Sequence, residues 1–153
     1  MRRRFIVIVA IAAALALCLA LAACGSDPQP LELKGATVAP VEGWSTDAQN
    51  GDISAEFKLE GHDSGYVKVF CSTNTDSAEQ WGVNYTNNYG GNAVVTTENF
   101  GGQEWVCVIP AGLEDQFILI ADRTDQEKAT VTVSSMFYTL DEAMPLIEAI
   151  TVP

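Results

Sequence analysis

The sequence predicts an α+β domain, one antiparallel sheet flanked by two helices, preceded by a cleaved lipoprotein signal peptide. Three observations carry this expectation. Runs of alternating apolar and polar residues recur along the chain, as in Ile53-Ser54-Ala55-Glu56-Phe57-Lys58-Leu59-Glu60, the period-2 pattern of half-buried strands. Two stretches break that rhythm with helix-capping residues followed by apolar or aromatic side chains at helical spacing. Strands and helices come in blocks rather than in regular alternation, which points away from a doubly wound parallel sheet.

The first element is an export signal. Arg2, Arg3 and Arg4 precede an uncharged apolar run from Phe5 to Ala23, the layout of a secretory signal. The run ends in Leu21-Ala22-Ala23-Cys24, which matches a lipobox. There the small residues fit the lipoprotein signal peptidase, and the thiol takes diacylglycerol through a thioether. Two other readings compete: a retained transmembrane helix, since the run is nearly long enough to span, and cleavage by an ordinary signal peptidase after Ala20-Leu21-Ala22. The alanine richness and the abrupt Cys24-Gly25-Ser26 end favour the lipoprotein reading. Each buried methylene contributes about 0.8 kcal/mol, so two or three acyl chains anchor where one would not. The expected location is the extracytoplasmic face of the cell membrane. Gly25 to Pro30 reads as a tether. The expected divisions are 1–23 signal peptide, 24–37 lipidated N-terminus and tether, and 38–153 folded domain.

Within the exported part, Leu31 to Val41 alternates loosely and is expected to form a short strand. Pro40-Val41-Glu42-Gly43-Trp44 follows as a turn. Ile53 to Glu60 and Tyr66 to Cys71 are expected to pair as a hairpin across Gly61-His62-Asp63-Ser64-Gly65. Asp76 or Ser77 can cap a helix that carries Trp81, Tyr85 and Tyr89 at spacing four and ends near Gly90-Gly91. This aromatic stripe has two readings, the lining of a ligand site or the face packed on the sheet. Ala93 to Thr97 and Gln103 to Ile109 are strands around Asn99-Phe100-Gly101-Gly102. Gln116 to Asp122 and Ala129 to Phe137 are two more. Thr139-Leu140-Asp141-Glu142 has the form of a capping box, and the last helix is expected to run to about Ile150, with Pro145 an awkward interior residue.

Charge limits the partners. Loss of residues 1–23 leaves five basic residues against 20 acidic ones, a formal charge of −15. Such a domain is repelled by nucleic acid and by anionic headgroups, although simple solubility also explains it. Cys18 leaves with the signal and Cys24 is acylated. Cys71 and Cys107 remain, an even pair in an oxidising compartment, and are expected to form a disulfide. A redox-active or metal-binding pair is the alternative, without a Cys-x-x-Cys spacing to support it.

The chemistry of a catalytic site is not visible in this sequence. His62 is the single histidine, in an expected turn, so neither a histidine metal cluster nor a Ser-His-Asp set can be assembled. Glycines occur as doublets, not as a phosphate-cradling loop. Asp122, Asp125 and Glu127 crowd one turn, but without the spacing of a calcium loop. No cofactor and no metal is expected.

The layout from Val38 to Pro153 resembles the PsbP-like domains, including small bacterial lipoproteins of the DcrB type. The likeness rests on Pro40-x-x-Gly43-Trp44 after the first strand, the hairpin, the central helix, the strand pair with a Gly-Gly turn, and Leu140-x-x-Ala143-x-x-x-Ile147 near the end. The resemblance implies that Gly43 and Trp44 pack as part of the fold. It also implies a non-catalytic domain that docks on other proteins. The expected role is therefore a membrane-anchored, non-enzymatic interaction module of the cell envelope. Its partner would be an envelope protein. The alternative is a binder of small ligands or cations that uses Trp81, Tyr85 and Tyr89 or the acidic turns.

Overall fold

The computed structural model describes residues 28–88 and 91–153. Among the described residues, ten strands and two short helices make the fold mostly β. The expected single sheet with two flanking helices is therefore incorrect. The strands form two antiparallel sheets, one of three strands and one of seven.

The small sheet comes from a segment expected to be one strand. Lys34-Gly35 breaks it into β1 (Leu31–Leu33) and β2 (Ala36–Val38), which fold back on each other with Leu33 opposite Ala36. The two-residue β10 (Ile150–Thr151) pairs with the other side of β2, Ile150 opposite Val38. Ile150 thus belongs to a strand, not to the last helix.

The large sheet has the order β3-β4-β5-β9-β8-β7-β6. Its members are β3 (Trp44–Asn50), β4 (Ser54–Leu59), β5 (Tyr66–Thr73), β6 (Ala93–Phe100), β7 (Gln103–Pro110), β8 (Ile118–Asp122) and β9 (Ala129–Met136). The runs read as strands from Ile53 onward all form strands within it. β3 has no alternation to read, because it is an edge strand whose side chains are almost all exposed. Gly43 enters it at φ +78°, a conformation that suits glycine. Trp44 follows, its ring 5.4 Å from that of Tyr138.

Each helix takes a different face of the large sheet. The inner face contributes Phe57, Val67, Val69, Trp105, Leu119 and Val133 to the main core, closed by Leu33 and Val38 of the small sheet and by Leu146 and Ile147 of the C-terminal helix. That helix, α2 (Leu140–Glu148), starts with the expected capping box. The Thr139 hydroxyl accepts from Glu142 N–H at 3.3 Å, and Thr139 N–H donates to the Glu142 carboxylate at 2.9 Å. On the outer face, α1 (Ala78–Asn88) packs over Val108, Ile118 and Ile120. Gly82 sits against β7 so closely that a Cβ there would lie 2.7 Å from Val106.

Candidate functional site

The two edges of the large sheet differ. β3 is interrupted by a bulge between Thr46 and Ala48, and Asp47 is paired with Lys58 of β4 at 3.0 Å. Bulges and charges of this kind blunt an edge against further strands. β6 has no such protection. All eight of its residues pair in unbroken register with β7, from Ala93 opposite Pro110 to Phe100 opposite Gln103. It carries neither proline nor lysine, and two adjacent valines, Val94 and Val95, are 59% and 44% exposed.

The β6–β7 turn fixes which backbone groups face outward. Gly101 and Gly102 have φ of +60° and +83°. Positive φ at both central residues is the type I′ turn of a two-residue hairpin. The flanking pair Phe100 and Gln103 then exchanges both hydrogen bonds, and so does every second pair behind it. At the far end Ala111 N–H donates to Asn92 O at 2.8 Å, in phase with that pattern. Ala93, Val95, Thr97 and Asn99 therefore direct their N–H and C=O groups away from the sheet.

Beside this edge a cleft of about 510 Å³ opens between β6, β7 and the first half of α1. Glu79, Val83, Val95, Thr97, Glu104 and Asp122 line it. Asp122 has a structural duty there, since its carboxylate accepts Ala78 N–H at 2.8 Å and so caps α1 from a neighbouring strand. The Ser77 hydroxyl accepts from Gln80 N–H at 3.3 Å and completes the cap. Between Lys68 and Arg123 the chain carries seven acidic residues and no basic one. That stretch supplies α1, β6, β7 and β8 without a basic residue, and the cations next along the chain, Arg123 and Lys128, lie by the β8–β9 turn near Ser77 and Asp122. The lysine pairs Lys58–Asp47 and Lys68–Glu56 lie at the opposite end.

Several residues singled out from the sequence lie elsewhere. Cys24 with Leu21, Ala22 and Ala23, and also Tyr89, fall outside the described residues. Trp81 and Tyr85 pack on the outer face of the sheet with their rings 5.7 Å apart. Cys71 and Cys107 are buried free thiols, not the expected disulfide. They stand on β5 and β7 with β9 and β8 between them. Three strand spacings amount to roughly 14 Å across the sheet, well beyond the reach of a disulfide. Burial raises both thiol pKa values. Cys107 is pushed up to about 11 by desolvation and then by the Glu98 charge, against a hydrogen bond from Thr96.

His62 is half-buried rather than a free turn residue. It stacks on Tyr138 at 4.2 Å, hydrogen-bonds Ser64 O at 2.9 Å and lies 4.0 Å from Glu142. The acidic turn is likewise divided, with Asp122 on the α1 cap and Asp125 gripped by both arms of Arg123 at 2.9 and 2.7 Å. No group of metal-ligating residues comes together among the described residues. Among them no helix is long and apolar enough to cross a membrane.

No known protein family and no curated protein matches the chain. A crystal structure from Bacteroides thetaiotaomicron is similar, with a TM-score of 0.45 and 10% identity. The likeness covers 77% of this chain and 45% of that one, so the chain spans less than half the length of that protein.

Proposed function

We propose that this chain is a lipid-anchored, extracytoplasmic interaction module, non-catalytic, which docks on another protein of the cell envelope. The observation that carries the docking role is the open β6 edge, eight residues long, with exposed valines and a cleft beside it. An unprotected edge of this kind is a template for another strand. Anchoring rests on the basic, apolar and Leu21-Ala22-Ala23-Cys24 sequence of the N-terminus.

The test is site-specific photo-crosslinking in native membranes. A crosslinking side chain at Thr97 on β6 should yield one discrete adduct. The same probe at Gln49 on the bulged β3 should yield none. No adduct from any position along β6 would remove this reading. A second reading has the cleft itself in its favour, because its volume falls in the range of small-molecule sites and Glu79 and Glu104 line it. A small cationic solute is then the ligand. Thermal-shift titration with calcium and polyamines tests it, since a bound ligand raises the melting temperature with concentration.

A further inference from the structure

We infer that the occupant of the β6 edge is an extended, lysine- or arginine-rich segment of a partner protein, added as a further antiparallel or parallel strand. The inference rests on the docking reading above and specifies the chemistry of what docks. The outward N–H and C=O groups of Ala93, Val95, Thr97 and Asn99 supply a ladder that an extended backbone satisfies, independent of sequence. Side chains give the selectivity. Alternate residues of an added strand fall on opposite faces of the sheet. On the α1 side they meet Val83, Val95, Glu79 and Glu104 of the cleft. On the other side they meet Val94 and Glu98, which share a face with Thr96.

Both faces thus offer an exposed valine and at least one carboxylate. Among the described residues no cation pairs with Glu79, Glu98 or Glu104, whereas Asp47, Glu56 and Asp125 each have a partner. A strand that carries basic and β-branched residues on each face, as a Lys-Lys-Val-Val repeat does, fits this surface on both faces. A second copy of this chain fits it less well, because it would bring a second net-acidic stretch against the first with no basic residue on either α1, β6, β7 or β8. The negative field of the whole stretch between Lys68 and Arg123 also steers a basic segment toward this edge.

The experiment uses the full chain in detergent and labelled peptides of about ten residues, long enough to cover one strand. One peptide repeats Lys-Lys-Val-Val, one repeats Glu-Glu-Val-Val, and one is the Lys–Val peptide N-methylated at alternate amides. Fluorescence anisotropy should show the Lys–Val peptide binding at least about tenfold more tightly than either control. Its affinity should fall as salt rises from roughly 50 to 500 mM. Thr97→Pro removes an outward N–H while leaving the ladder to β7 intact, the position in which an edge strand tolerates proline. It should weaken binding without changing the melting temperature. Glu98→Lys with Glu104→Lys should do the same through charge.

Equal binding of the Lys–Val and Glu–Val peptides overturns the inference, as does a Thr97→Pro variant that binds normally. A concentration-dependent dimer that Thr97→Pro abolishes also overturns it, in favour of a second copy. If crosslinking from Thr97 still captures an envelope protein while the Lys–Val peptide fails, the docking reading stands and only the partner's chemistry is wrong. If both fail, the docking reading falls too.

Discussion

Arg123 has a side chain only 4% exposed, forked onto Asp125 and pressed over Gly35, where a Cβ would lie 2.7 Å from Nη1. Nη1 is buried with no hydrogen-bond partner among the described residues. Asp125 therefore carries most of the compensation for a buried cation. Asp125→Ala should lower the melting temperature clearly more than Glu127→Ala, a neighbour on the same turn, as calorimetry would show. The Arg123 hydrogen bond also holds the Asp125 carboxyl below its ordinary value, and the Thr139 backbone and hydroxyl do the same for Glu142. Folded pKa values lower than unfolded ones add stability above the ordinary carboxylate pKa of about 4, and that stability is lost as pH falls through the folded values. The thiols act at the other end. Cys107 is raised to about 11, so its contribution is complete below its unfolded pKa and is lost as pH rises toward 11. In the native state at mild alkaline pH both thiols should resist alkylation, and both should react once denaturant is added. Reaction of either in the folded protein would mean that its burial is not maintained. None of this was legible in the sequence, because the packing of Arg123 over Gly35 joins positions far apart in the chain. Cysteine parity suggested a bond that strand order forbids.

Local signals read well where the deciding contacts are local. The Thr139-x-x-Glu142 box lies where the sequence puts it, because both of its hydrogen bonds are made within four residues. Thr139→Ala should cost about 0.5–2 kcal/mol in chemical denaturation, the usual loss for such a cap. A negligible change would mean that the packing of Ala143, Leu146 and Ile147 alone holds α2. Pro145 is tolerated inside α2, where it removes one donor from a helix already held by those three buried residues. Strands that bury one face were legible by their alternation. β3 was not, since an edge strand exposed on nearly all its side chains has no reason to alternate. β10 was missed because Ile150 fits the apolar spacing of the preceding helix, and only its pairing with Val38 distinguishes the two. The Lys34-Gly35 turn was the available signal that β1 and β2 are a hairpin. For the β6 edge, Ala93 to Thr97 was readable as a strand before a Gly-Gly turn, but its continuation to Phe100, through residues expected in the turn, and its place at the end of the sheet were not.

At the scale of the whole molecule, the shift from α+β to mostly β follows from those few elements. Two short helices are outnumbered once residues 44–50, 31–38 and 150–151 all pair as strands. The same topology sorts the charge, placing the basic residues of β4 and β5 at one end of the large sheet and the unrelieved acidic stretch at the other. On the proposed reading, a mature chain of formal charge −15 gains nothing from anionic headgroups, so its anchor has to be the N-terminus. Intact mass of the protein purified from its native membrane tests this directly. The expected species starts at Cys24, carries acyl mass, and keeps the same polypeptide mass with and without reductant, since Cys71 and Cys107 are free. Cys24→Ser should instead accumulate as the full 153-residue chain without acyl mass, because the thioether can no longer form. A wild-type species retaining residues 1–23 would replace the lipid anchor with a spanning helix. A gain of two hydrogens on reduction would require β5 and β7 to approach each other, and with that the strand order of the large sheet would have to be redrawn.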